Sequence, residues 1–213
     1  MLGVTARLKT AFRYLAVIKY SAYIIFLLLN LPFAFAQSQQ AELEALTNHI
    51  SQRIVLNEDV DGTFVQHKFI KVLPRPLISR GKFSFSGDEG LDWLTQQPIQ
   101  SRLMFDDKGI RQEMDGKMLW QIEAEQPAVA MITRVIVSVL ALDWQTLEDY
   151  FIISGSYNDN QWQIELVPKE QVLLQIIESL AVSGDQHLEK MVLFEANEDR
   201  TEISFAFDNT NSP

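Results

Sequence analysis

The stretch Gly81-Lys82-Phe83-Ser84-Phe85-Ser86-Gly87-Asp88-Glu89-Gly90-Leu91-Asp92-Trp93 decides the fold class of this chain. Apolar and polar residues alternate on both sides of its centre, which is the two-residue period of strands with one buried face. The segment at the centre has the glycine and acidic residues of a tight turn. The stretch therefore predicts an antiparallel hairpin whose aromatic side chains share one face.

The same period continues outward in both directions. Strands are predicted at residues 63–70, 101–105, 110–114 and 118–122, and again at 151–153, 161–166 and 202–207, with a hairpin over 182–196. Turn sequences such as Asp115-Gly116 separate neighbouring strands, and Asp-Gly is a strong hairpin signal. Short strands at this spacing are typical of an antiparallel meander, which needs a cover for its apolar face.

Two segments have the helical period and could supply that cover. Apolar residues recur at every third or fourth position of Gln39–Ile54, which predicts an amphipathic helix. The segment Pro127–Leu142 is apolar nearly all round, with Arg134 as its one charge, and a short helix is predicted after it at Trp144–Tyr150. As a helix, Pro127–Leu142 would span about 24 Å, which is short for a membrane crossing. It is either a core helix or a lid over an apolar cavity.

Charge is unevenly distributed along the chain. Residues 1–36 contain four basic and no acidic residues, an apolar run over 23–29, and the sequence Ala34-Phe35-Ala36, the pattern of a cleavable signal peptide. A permanent N-terminal membrane anchor is the alternative. Cleavage after Ala36 would leave one domain, 37–213, with 14 basic and 28 acidic residues and a net charge of −14. An exported and acidic protein is predicted, and the acidic balance argues against nucleic acid as a partner.

No residue pattern indicates catalysis or a bound cofactor. The chain has no cysteine, its histidines His49, His67 and His187 lack ligand spacing, and motifs of metalloproteases, serine hydrolases and phosphate-binding loops are missing. The acidic pair Asp106-Asp107 lies in a predicted turn, where solvated residues are expected. We therefore expect no enzyme activity, no cofactor and no metal.

Several short motifs in order resemble the periplasmic lipoprotein-carrier family, the LolA/LolB-like proteins. They are Phe64-x-Gln66-x-Lys68, Gly81-x-Phe83-x-Phe85, Leu91-x-Trp93, Leu166-Val167-Pro168-Lys169 and Val192-x-Phe194-Glu195. The resemblance extends over residues 39–208. It implies an α+β, mostly β fold, an incomplete antiparallel β-barrel of about eleven strands, with three helices as a lid over a hydrophobic cavity for acyl chains.

The resemblance, taken with the alternation, implies a set of cavity and lid residues. The set is Phe83, Phe85, Trp93, Leu103, Met114, Trp120, Met131, Ile132, Val135, Leu140, Trp162 and Phe205. The soluble carrier of the family has a lid-latching arginine where this chain has Gly87. Arg134 could form a comparable latch from the lid side. Without cysteine the chain also lacks the lipid-anchoring site of the family's membrane-bound receptor.

The resulting hypothesis is a periplasmic carrier, a divergent and monomeric LolA-like protein. It would bind the acyl chains of a lipoprotein or another lipid, receive them from an inner-membrane donor complex, and pass them to an outer-membrane acceptor. The cargo could instead belong to a glycolipid or pigment-lipid pathway. An envelope module that senses lipid with the same fold is the alternative from another class, and a lipid hydrolase is the third.

Overall fold

The computed structural model describes residues 41, 43–52, 59–86, 89–158 and 160–208. The predicted signal peptide and the position of the missing arginine, Gly87, lie outside the described residues. The chain divides into a unit ending at Ala45 and a unit from Leu46 to Pro213. In the first, residues 41 and 43–45 are helical. The fold below is that of the second, in which a helix, α1, covers residues 46–51, within the segment predicted as helical.

Within the described residues, eleven antiparallel strands form one sheet that does not close into a barrel. They are β1 (Asp59–Phe69), β2 (Leu77–Ser86), β3 (Gly90–Gln97), β4 (Ser101–Asp106), β5 (Gly109–Met114), β6 (Lys117–Glu123), β7 (Phe151–Asn158), β8 (Gln161–Pro168), β9 (Ile177–Gly184), β10 (Leu188–Glu195) and β11 (Arg200–Phe207). The prediction of an incomplete antiparallel barrel with about eleven strands is confirmed.

The sheet consists of two meanders joined in the middle. The strand order is β6-β5-β4-β3-β2-β1-β11-β10-β9-β8-β7, so β6 and β7 are the two edges. The first and last strands, β1 and β11, pair at the centre of the sheet, where Phe64 lies opposite Phe205. The chain crosses between the edges through α2 (Pro127–Ala141) and α3 (Trp144–Tyr150), and a short α4 (Gln171–Leu174) precedes β9.

Local sequence accounts for the turns and helix ends. Asp115 and Gly116 both have positive φ, 51° and 73°, as a two-residue hairpin turn of the I′ type requires. Pro127 begins α2, where its missing N–H costs nothing. The helix ends at Leu142, which is left-handed with φ 52°. The side chain of Asp143 accepts a hydrogen bond from Thr146 N at 3.2 Å and caps α3.

Alternation separates an inner apolar face from an outer polar face. In β8 the exposed and buried residues alternate without exception, as predicted for residues 161–166. The inner face is covered by helices, with α2 in contact with β5 and α3 in contact with β7. The candidate site is on this face.

Candidate functional site

Aromatic residues from four strands form the centre of the inner face. The indole of Trp93 stacks on Phe64, with ring centroids 3.8 Å apart and planes 24° apart. Phe83 meets Phe205 and Phe207 edge to face, each at 5.5 Å. Such offset and edge-to-face pairs are the geometry that aromatic rings prefer. The centre of the face is therefore apolar and well ordered.

Seven of the predicted site residues meet in one cluster. Phe83 and Phe85 are among its buried members, and Trp93, Leu103, Ile132, Leu140 and Phe205 pack against it partly buried. Two of these, Ile132 and Leu140, come from α2. The structure thus brings together predicted site residues from the sheet and from its helical cover.

The remaining predicted residues lie in other surroundings. Val135 is buried on α2 and Met131 is half-buried there. Trp162 is fully buried outside the cluster, where its Nε1 donates to Asp185 O at 2.8 Å and its ring meets Trp144 edge to face. This arrangement fixes Trp162 as a packing residue of the β7–β9 half.

The apolar face is open along β5 and β6. Every residue of β6 is exposed, and the inward-facing side chains of Met114, Trp120 and Ile122 are 37%, 38% and 37% exposed. Trp120 Nε1 donates to Gln112 Oε1 at 2.6 Å, which holds the indole over the neighbouring strand. This edge, which we call the open margin (Met114, Trp120 and Ile122), is where an apolar ligand could reach the cluster from solvent.

The helix α2 covers the face with buried and half-buried side chains. Val129, Val135, Ser138 and Val139 are buried, and most of its other apolar side chains are half-buried. The hydroxyl of Thr133 is buried with no hydrogen-bond partner among the described residues. The half-buried side chains can gain further contacts from a ligand.

Arg134, the predicted latch, is exposed on α2. In the part of the chain that the structure describes, no hydrogen bond or ion pair joins its guanidinium to the sheet. The latch role stays a prediction, and the structure places the guanidinium in solvent.

Sequence reasoning missed five buried members of the cluster. They are Phe64, Leu91, Phe105, Ile110 and Val129. Each lies at an inward position of a predicted strand or on α2, so the alternation itself was the available signal. The alternation indicates which face of a strand is buried but not how that strand pairs with distant strands.

A polar cavity of about 780 Å³ lies against the outer side of the same strands. Outward residues such as Ser84, Asp92, Met104 and Arg111 line it, with the guanidinium of Arg102 paired to Asp92. Hydrogen bonding to Asp92 raises the pKa of Arg102 above its ordinary value. The cavity differs in position and polarity from the predicted lipid cavity.

Solvated side chains were predicted for Asp106 and Asp107, and the structure agrees for only one of the two. Asp107 is exposed as expected, but Asp106 pairs with Arg111 and both side chains are 16% exposed. The prediction was wrong for Asp106, because the strand after the turn places a guanidinium beside it. Both charges are neutralised by the pair, which leaves a structural role.

The described residues contain neither a cluster of metal-binding side chains nor a membrane-spanning helix. That part of the chain holds no group of three histidine, cysteine, aspartate or glutamate side chains placed to bind a metal. Among the same residues, no helix combines the length and the apolar character that a bilayer crossing requires.

Comparison with known proteins identifies one family. The model of the family "Outer membrane lipoprotein carrier protein LolA" matches residues 57–213. No match was found among curated proteins.

Solved structures with a similar arrangement are distant in sequence. A LolA superfamily protein from Nitrosomonas europaea is 6% identical, with a TM-score of 0.45 over 80% of this chain and 94% of that one. The lipoprotein LppX from Mycobacterium tuberculosis is 8% identical, with a TM-score of 0.41 over 83% and 98%. A putative outer membrane lipoprotein-sorting protein domain from Vibrio parahaemolyticus is 10% identical, with a TM-score of 0.39 over 79% and 93%.

Proposed function

This chain belongs to the LolA family of outer membrane lipoprotein carriers, and from that premise we propose that it carries acyl chains through the periplasm. The acyl chains of a lipoprotein or another lipid bind between the inner face of the sheet and α2. The protein receives them from an inner-membrane donor complex and passes them to an outer-membrane acceptor. It acts as a monomer and catalyses no reaction.

The observation that carries the proposal is an apolar face whose cover is incomplete. The cluster under α2 is aromatic and aliphatic, and the open margin exposes apolar side chains continuous with it. Each methylene moved from water into such surroundings contributes about 0.8 kcal/mol. An acyl chain therefore binds without any charged or catalytic group.

Binding requires movement of the helical cover. Bound chains would occupy space that α2 side chains such as Ile132 and Leu140 now fill against the cluster. Half-buried aliphatic residues slide and separate at a lower cost than an interlocked core. We therefore assign α2 the role of a lid, whose outer side is kept in water by the charge of Arg134.

Lipid extraction tests the function directly. Protein recovered from periplasmic extracts is expected to yield lipid or lipoprotein acyl chains on organic extraction, and mass spectrometry then identifies the cargo. A glycolipid in the extract would assign the chain to that kind of pathway. Protein that yields no lipid, and that binds no fluorescent palmitoyl probe after purification, would contradict the proposal.

A pair of matched variants tests the location. Trp120→Lys places a charge at the open margin, and Phe194→Lys places the same charge on the outer face, at a side chain that is likewise 38% exposed. Trp120→Lys is expected to weaken binding of the palmitoyl probe by about tenfold or more, because a cation would meet the entering chain. Equal affinities for the two variants would place the site elsewhere.

A further inference from the structure

The large apolar side chains that the structure exposes are concentrated at one end of the sheet. Because the strands are antiparallel, alternate connections lie at the same end, and the register places Lys68 opposite Leu77, Arg80 opposite Gln97, and Ser101 opposite Met114. We call this the apolar end. Its connections cover residues 70–76, 98–100, 115–116, 169–176 and 196–199.

Four of these connections, or the strand ends beside them, carry exposed apolar side chains. Val72 is 84% exposed and Ile99 is 62% exposed. Others at this end are Leu73, Leu77, Met118, Leu119, Val172, Leu174 and Ile176, all between 38% and 55% exposed. A monomer that exposes this many apolar tips at one place has an interaction site there.

The connections at the opposite end have a different composition. In their described parts, 89, 107–108, 124–126, 160 and 185–187, no large apolar side chain is exposed, although Ile122 beside them, near the end of β6, is 37% exposed. Acidic residues dominate there, with Glu89, Asp107, Glu125 and Asp185. An anionic surface would repel this end more strongly than the apolar end, whose exposed charges are of both signs.

The first connection of the apolar end is held in place. Lys71 N donates to Asp199 Oδ1 at 3.0 Å, and Lys71 Nζ lies 2.5 Å from Glu198 Oε2. Pro74 and Pro76 restrict the backbone after Val72. The tip therefore presents Val72 without a large entropy cost on binding.

Charged residues of both signs surround the apolar tips. Arg75, Lys117 and Lys169 lie in or beside these connections and are exposed, as are Asp115 and Glu170, and Glu198 is neutralised by Lys71. Exposed apolar side chains with lysine and arginine among them fit interfacial membrane binding. Because the tips come from separate connections rather than from the walls of one groove, they suit a fluid lipid surface better than a single peptide.

We propose that the apolar end docks the protein on a phospholipid surface, with Val72 inserted below the headgroups and Arg75 at the level of the phosphates. This inference rests on the proposed function, in which the carrier meets a membrane. It adds the orientation of the protein at that membrane. Met114 and Lys117 flank the turn between β5 and β6, so docking also brings the Met114 end of the open margin close to the lipid.

The absence of cysteine from the sequence permits a direct test. Val72→Cys and Gln186→Cys each carry one polarity-sensitive fluorophore, since both positions are exposed and lie at opposite ends. The protein is the form recovered from periplasmic extracts, and the probe is a vesicle of phosphatidylethanolamine and phosphatidylglycerol. Vesicles are expected to raise and blue-shift the emission at position 72 and leave position 186 unchanged. Equal responses at the two positions would overturn the proposed orientation.

Flotation with the same vesicles measures affinity. Val72→Asp is expected to bind about tenfold more weakly than the parent, because a carboxylate replaces the inserted side chain. Gln186→Asp adds the same charge at the opposite end and is expected to bind like the parent. Val72→Ser removes the apolar contact without adding a charge. Its affinity for the vesicles should fall between those of the parent and of Val72→Asp.

The outcomes separate this inference from the proposed function. Co-purified lipid together with no vesicle binding, or with vesicle binding that Val72→Asp leaves intact, overturns the docking surface and supports the carrier. A partner protein as the true occupant of this end would give that same result. Vesicle binding lost in Val72→Asp, in protein that carries no lipid in any preparation, supports docking and contradicts the carrier.

Discussion

At the scale of single residues, Gly81 permits a close approach of neighbouring backbone and ring atoms on the inner face. A Cβ built at this position would lie 2.0 Å from Leu94 O and 2.9 Å from the ring of Phe64. The alternation of 81–93 predicted that Phe83, Phe85 and Trp93 face inward, which the structure confirms. The stack of Trp93 on Phe64 could not be predicted, because the register of β1 on β2 depends on contacts distant in the sequence.

Gly81→Ala is expected to lower the free energy of unfolding by about 2 kcal/mol or more, since backbone and ring atoms must both move. Urea denaturation followed by tryptophan fluorescence measures it. Gly116→Ala is the comparison, since a Cβ there meets nothing within 4 Å and only the backbone at φ +73° is strained, at about 1 kcal/mol. A smaller effect at Gly81 than at Gly116 would refute this account of the packing.

For the helix α2, sequence and structure agree on the residue range and differ on the extent of burial. Its predicted range, Pro127–Leu142, matches Pro127–Ala141, because proline at the start and the change of backbone at Leu142 mark both ends. Its apolar wheel predicted burial on all sides or contact with an apolar partner. In the structure four residues of α2 are buried and most of the others are half-buried.

Thr133→Val is expected to stabilise the protein by about 1 kcal/mol. The buried hydroxyl of Thr133 has no hydrogen-bond partner in the described part of the chain, and valine keeps its shape without the cost of the unpaired group. Thermal unfolding measures it. Thr63→Val is the control, because Thr63 is exposed on β1 and should change stability little. Destabilisation by Thr133→Val would show that the hydroxyl is satisfied in solution.

Arg134→Leu is expected to slow the release of bound acyl chains by about tenfold. The guanidinium keeps one side of α2 in water, and leucine would favour a more closed lid. Transfer of a fluorescent palmitoyl probe from the protein to acceptor vesicles measures the rate. Arg134→Lys retains the charge and should release like the parent. Unchanged release from Arg134→Leu would remove the latch from the mechanism.

At the scale of the whole molecule, the alternation and turn residues predicted individual strands and turns. The total number of strands came from the family resemblance. The pairing of β1 with β11 joins residues more than one hundred positions apart, such as Phe64 and Phe205. No local pattern specifies that pairing. The open margin was equally beyond prediction, because Trp120 has the same alternation as buried aromatics and is exposed only because β6 is an edge strand.

Export predicts a defined N terminus. Protein recovered from the periplasm is expected to begin at Gln37, since Ala34-Phe35-Ala36 provides the small residues that signal peptidase requires. Intact-mass measurement of the purified protein checks this. A mass that includes residues 1–36, with the protein retained in the inner membrane, would support the anchor instead. A substitution of Ala36 by a large residue should block processing.

The route of the chain between the two edge strands has a consequence for the timing of cargo exchange. The helices α2 and α3 connect β6 to β7 and are not part of any strand ladder. As the proposed lid, α2 would swing outward about residues 124–126 and Leu142 while every interstrand hydrogen bond stays formed. Opening would then be a local event on the microsecond-to-millisecond scale typical of lids, uncoupled from global unfolding. A mutation that weakens the sheet would shorten the life of the protein without accelerating lipid exchange.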